Sequence, residues 1–131
     1  CYGQRVAMPP FGNPDRCAAT EPPSLELPAH TAPLGLAFYD GHQLPPAYFG
    51  GIFVALHGQV RQTHPDGHSL VFVPVRDGQP QAAVEVVRGW RVDDESWGQP
   101  VGPLVSRDGS LYLTDDTAGV IYRLRARPLV R

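Results

Sequence analysis

One pattern occurs twice in this chain. Residues Pro33-Leu34-Gly35-Leu36-Ala37-Phe38-Tyr39-Asp40-Gly41 return as Pro100-Val101-Gly102-Pro103-Leu104-Val105-Ser106-Arg107-Asp108-Gly109, and each copy is followed by two further apolar runs. Repetition at a spacing of about 67 residues, built of short apolar runs and turns, is how a β-propeller blade or a similar all-β unit looks in sequence. Such a unit cannot bury both of its faces alone, and two of them do not close a ring.

The surrounding composition favours the same class. Fifteen Pro and fourteen Gly fall mainly between apolar runs, and the 42% hydrophobic content supports a folded, turn-rich chain over a disordered one. A length of 131 residues allows one domain and a modest core, but not a self-contained propeller. A net charge of -2 leaves no electrostatic footprint for nucleic acid or an anionic membrane. All eleven basic residues are Arg, which excludes lysine chemistry such as a Schiff base or a phosphate-binding loop within these residues. No apolar run approaches the length that spans a bilayer.

Residues 1–32 read as an extended Pro-rich arm, because Pro9-Pro10, Pro14, Pro22-Pro23 and Pro28 forbid a long helix and discourage a central strand. Cys1 and Cys17 bracket part of that arm and can close a disulfide loop; two unrelated thiols, or a lipidated Cys1, are the other readings. A chain starting at Cys1 is expected to be a processed product or a fragment. Strand-like runs follow at 34–39, 51–57, 69–75 and 82–87, giving one four-stranded unit over 33–89. A second unit, 100–131, shows runs at 101–106, 111–114 and 119–124, and so lacks a fourth strand to cover its edge. The fold class expected is therefore all-β, about two propeller blades behind an extended arm.

In order along the chain, Leu27 to Tyr39, Tyr48-Phe49-Gly50-Gly51-Ile52-Phe53-Val54-Ala55-Leu56-His57-Gly58, Trp97-Gly98-Gln99-Pro100-Val101-Gly102 and Asp108-Gly109-Ser110-Leu111-Tyr112-Leu113-Thr114-Asp115-Asp116 resemble the C-terminal third of the glucose and sorbosone dehydrogenase family. The opening Cys1-Tyr2-Gly3 and Cys17 are similar to that family's segment before its fifth blade. The resemblance implies a six-bladed propeller in a periplasmic or secreted quinoprotein. Such a protein oxidises a sugar or aldehyde by hydride transfer to pyrroloquinoline quinone, with calcium and a His base. It also implies that the His base and most calcium ligands lie in blades outside this chain, so no residue here is assigned a catalytic role and the chain alone is expected to be inactive. The oxidising compartment so implied makes Cys1–Cys17 the expected disulfide.

The cofactor-facing candidates are His57, Arg61, His30 and Gln99. His57 and Arg61 flank a strand end and can bind an anionic cofactor or polarise a sugar carbonyl; a His bonded to loop backbone and a solvated Arg is the bland reading. His30 is either a cofactor contact or a structural hydrogen bond. Where the family has Trp-Gly-Arg-Pro this chain has Trp97-Gly98-Gln99-Pro100, replacing a cation suited to the quinone carboxylates by a neutral amide. The sequence after His57-Gly58, Gln59-Val60-Arg61-Gln62, likewise departs from a family motif ending in Asn-Arg. His57, His64 and His68 lack metal-site spacing, and Asp93-Asp94-Glu95 and Asp115-Asp116 read as solvated turns before calcium ligands. Trp97 reads as a residue packed between blades.

The expected partners are the missing blades or copies of the chain itself. Three copies give six blades, so a homotrimer is the specific form, with residues 1–32 closing a neighbour's sheet. The alternative function is a non-catalytic binding module that assembles into such a ring. The faces carrying Leu36, Phe38, Phe53, Val71, Phe72, Leu104, Tyr112 and Ile121 are expected to stay partly uncovered in one chain.

Overall fold

The computed structural model describes residues 1, 5–10, 12–59, 67–93 and 95–126. The strands arise where β-branched and aromatic residues run without interruption, and Gly, Pro and Asp separate them. β1 (Pro33–Phe38), β2 (Ile52–Leu56) and β3 (Ser69–Val73) form an antiparallel meander. Two short strands, β4 (Val75–Arg76) and β5 (Gln79–Pro80), interrupt it before β6 (Val84–Arg88) completes the sheet in the order β1-β2-β3-β6. The turn between β4 and β5 is the tip of their own hairpin. Asp77 and Gly78 both take positive φ, 51° and 74°, as a two-residue hairpin requires.

A second small hairpin, β7 (Arg91–Val92) and β8 (Glu95–Ser96), leads into the three-stranded sheet. That sheet comprises β9 (Pro100–Val105), β10 (Leu111–Asp115) and β11 (Val120–Leu124), with β10 in the centre. Neither short hairpin was legible as strand, because two-residue ladders carry no periodicity.

The uninterrupted apolar character of β2 and β3 has a direct structural cause, since both of their faces are covered. On one face Phe53, Ala55, Leu70 and Phe72 pack with Tyr39, Trp90, Leu111 and Leu113 into the core between the two sheets. On the other, Val54, Leu56, Val71 and Val73 form a second cluster, partly roofed by Leu25 and Leu27. Burying a side chain of this size contributes about 1.5–3 kcal/mol, so Leu25 and Leu27 tie the preceding segment to its own sheet. Upstream, a five-residue helix, α1 (Pro14–Ala18), starts with Pro14 behind an Asn13 side chain that accepts from the Arg16 N–H at 3.0 Å. Cys17 on that helix is buried and bonded to Cys1 in the expected disulfide.

The two copies of the repeated pattern pack on one another. A Cβ on Gly41 would stand 2.7 Å from the Gly109 Cα, and one on Gly35 would stand 2.6 Å from the Val101 carbonyl oxygen. Only glycine permits this approach of backbone to backbone. Tyr39 bridges the same junction, its hydroxyl donating to the Gly109 carbonyl and accepting from the Leu44 N–H, each at 2.8 Å.

Two sequence expectations are corrected. Of the eight face residues, Phe53, Val71 and Phe72 are buried within the chain itself, whereas Leu36, Phe38, Leu104 and Ile121 are each more than 60% exposed. The division follows from position: interior strands find cover from the second sheet and from Leu25 and Leu27, while β1 and the outer face of the three-stranded sheet do not. Trp97 is 52% exposed, with its indole N–H donated to the Gly89 carbonyl at 2.7 Å; Trp90 occupies the buried place in the core.

Candidate functional site

One end of the two sheets gathers most of the sequence candidates. The loops there are the stretch before β1, the residues after β2, the approach to β9 and the β10–β11 turn. His57 follows β2 directly, and its backbone N–H donates to the Ala32 carbonyl at 3.0 Å while that of Gly58 donates to Thr31 at 2.9 Å. These bonds tie the His57 loop to a stretch in which His30 and Ala32 hold positive φ, 67° and 48°. Left-handed backbone at non-glycine residues is uncommon, and here the surrounding bonds over-determine it. Gly58 also has φ 77°, and a Cβ there would lie 2.5 Å from the His68 ring.

The centre of the cluster joins His57 to Gln99, which the sequence placed far apart. The Gln99 side-chain Nε2 lies 3.2 Å from His57 Nδ1 and 3.4 Å from the His57 carbonyl oxygen. Gln99 Oε1 accepts from the Thr117 hydroxyl at 2.7 Å. On the other side of the ring, His57 Nε2 meets the Asp116 carboxylate at 3.1 Å. Gln99 is 3% exposed, whereas the Asp116 side chain is 60% exposed. The amide is therefore an internal strut, and the carboxylate is the group presented to solvent. His30 stands apart from this core, its Nδ1 3.0 Å from the Gln59 Nε2. Arg61, the fourth candidate, lies outside the described residues, as do His64 and Asp94.

Beneath the cluster, Asp115 organises the turn. One carboxylate oxygen accepts from the backbone N–H groups of Gln99, Thr117 and Ala118 at 3.0, 3.1 and 2.7 Å, and the other accepts from the Tyr122 hydroxyl at 3.1 Å. A buried acidic side chain with four donors is a structural anchor. Burial holds the Tyr122 phenol above its ordinary pKa, and the neighbouring Asp115 carboxylate adds to the effect. The expectation that Asp115 and Asp116 form one solvated turn is corrected for Asp115, which is 3% exposed, whereas the Asp116 side chain is 60% exposed.

His68 is buried, with Nδ1 3.1 Å from the Ser96 hydroxyl oxygen. Among the described residues no group of three or more His, Cys, Asp or Glu side chains is placed to hold a metal ion.

The sequence matches the TrAA12-like family over residues 7–127. An uncharacterized protein of Borreliella burgdorferi is 36% identical over 107 residues, covering 79% of this chain and 28% of that protein. The pyrroloquinoline quinone-dependent pyranose dehydrogenase of Coprinopsis cinerea is 31% identical over 123 residues, covering 79% of this chain and 16% of the enzyme. Among solved structures, the holo form of the PQQ domain of that pyranose dehydrogenase superposes with a TM-score of 0.68 at 28% identity, over 88% of this chain and 32% of that one. A Trichoderma reesei carbohydrate-active enzyme of family AA12 superposes with a TM-score of 0.67 at 23% identity, over 88% of this chain and 30% of that one. This chain thus spans less than a third of each of these relatives. Its antiparallel sheets superpose on part of the PQQ domain of the pyranose dehydrogenase, and the chain belongs to the TrAA12-like family.

Proposed function

We propose that this chain is the C-terminal part of a quinoprotein oxidoreductase, about two blades of a six-bladed propeller, in a protein that oxidises a sugar by hydride transfer to pyrroloquinoline quinone. The observation that carries this reading is the 28% identity to a holo quinone domain maintained across 88% of the chain. A pyranose is the substrate class this favours over sorbosone or a simple aldehyde, since the relative with a named activity acts on pyranose. A periplasmic or extracellular setting fits the Cys1–Cys17 disulfide. Among the described residues no helix is long and apolar enough to cross a membrane.

The quinone carries carboxylates, and the described residues around His57 do not fit them unaided. Gln99 is neutral and buried, the His57 ring faces a carboxylate, and Asp116 repels an anion. Cations for the quinone therefore come from elsewhere in the parent protein or from Arg61. This chain's share is a hydrogen-bonded wall.

The assembled form we propose supplies the missing blades, either from the rest of the parent or from two further copies of the chain. The exposed Leu36, Phe38, Leu104 and Ile121 favour such an association. A non-catalytic module forming the same ring is the second reading, favoured by the neutral Gln99. The purified chain, titrated with quinone and calcium and assayed with glucose or another pyranose and a dye acceptor, is expected to show neither tight binding nor turnover. Extraction of stoichiometric quinone from it, or enzyme-like dye reduction, would overturn the division of labour proposed here.

A further inference from the structure

Gln99 takes the place of a cation in the resembled motif, yet its geometry gives it a defined task. Its Nε2 is held near the His57 carbonyl oxygen, an obligate acceptor, and its Oε1 receives the Thr117 hydroxyl. The carbonyl contact orients the amide with its N–H groups toward His57 Nδ1, and the Thr117 hydroxyl, which donates or accepts, is compatible with that orientation. A ring nitrogen that accepts a hydrogen bond carries no proton, so the ring proton is placed on Nε2, where the Asp116 carboxylate accepts it. We propose that Gln99 is a positioning residue that fixes His57 as the Nε2–H tautomer and aims that N–H at Asp116.

A competing arrangement lies within reach. His57 Nδ1 is also 3.2 Å from the Gly58 carbonyl oxygen, which can accept only if Nδ1 is protonated. The Gln99 amide on Nδ1 and the Asp116 carboxylate on Nε2 both favour the Nε2–H form over it. With Nδ1 accepting from the amide and Nε2 protonated, neither nitrogen offers a free lone pair, so His57 is not a proton acceptor in this state. The group that meets a ligand is Asp116, a carboxylate that accepts hydroxyl protons and repels anions. The meaning of this for catalysis rests on the quinoprotein reading; the tautomer does not. Under that reading the wall made by this chain reads neutral hydroxyl donors, and the base that receives the substrate proton is elsewhere.

The test is 15N NMR of uniformly labelled chain, using long-range couplings from the ring carbon protons to identify the protonated nitrogen of His57 at a pH where the ring is neutral. No quinone is present, so this result is independent of cofactor binding. The expected spectrum has Nε2 protonated and Nδ1 bare. Gln99→Met removes the amide at nearly constant length and shifts the tautomer ratio toward Nδ1–H facing Gly58 by roughly fivefold to tenfold for one lost hydrogen bond, with the Asp116 carboxylate still drawing the proton to Nε2. Thr117→Val, a milder change, frees the amide to turn its Oε1 toward Nδ1 and moves the ratio the same way. A wild-type ring already protonated on Nδ1 would overturn the proposal. So would folded variants whose His57 signals do not move.

Discussion

The junction between the two repeat copies rests on Tyr39, and Tyr39→Phe isolates what its hydroxyl contributes. The ring stays, so the edge-to-face contact with Phe53 at 5.7 Å is kept and only one oxygen is removed. Tyr39 is 1% exposed, and that oxygen makes two bonds of 2.8 Å, one to the Gly109 carbonyl across the junction and one from the Leu44 N–H. A buried polar group deprived of its partner costs about 1–3 kcal/mol. Gly109 bears most of this cost, since Leu44 is only half-buried and water can replace part of its bond. The expected loss is about 2–3 kcal/mol, a large share of the roughly 5–15 kcal/mol that stabilises a domain. Urea unfolding followed by circular dichroism should show a lower midpoint with an unchanged slope, and thermal melting a fall of about 8–12 °C. A loss below about 0.5 kcal/mol would refute the idea that this hydroxyl clamps the two copies together. A changed slope would mean that the sheets had separated and that the substitution had done more than remove two bonds.

Three further outcomes are expected. Cys17→Ser should lower stability by about 2–3 kcal/mol in urea, the entropy of a loop of this size, and thiol labelling of the denatured, unreduced wild type should find no free thiol. Asp108 accepts from the Ser106 hydroxyl, from the Ser110 N–H and hydroxyl, and from Arg123, which hold its carboxyl well below the ordinary Asp value. A depressed folded pKa stabilises above the unfolded value and loses that effect as pH falls, so Asp108→Asn should melt lower at neutral pH, with the gap closing below about pH 4. Sedimentation at micromolar concentration should find the chain associated, and Phe38→Glu with Leu104→Glu should shift it toward monomer; a well-folded, cooperatively melting wild-type monomer would remove the assembly proposal.

The sequence by itself determined the longer strands and the duplicated pattern. The apolar runs marked β2 and β3 as strands, and the Asp-Gly turns at Asp40-Gly41 and Asp108-Gly109 marked the two copies of the repeat. Those signals are local, written in periodicity and in residues whose backbone freedom is needed where they stand. Which faces would be covered was not local: Phe53 and Phe72 are buried because a second sheet lies over them, and Leu25 and Leu27 roof the other side from a segment without strand character. The site divides in the same way. His57 was legible as a candidate from its place at a strand end and Gln99 from the resemblance, but that one props the other, that Asp115 anchors a turn while Asp116 faces solvent, and that Trp90 and not Trp97 fills the core were decided by tertiary contacts. The physical reason is that a hydrogen-bond partner 42 residues away leaves no periodicity in the chain; only the packing of two sheets brings the groups within reach.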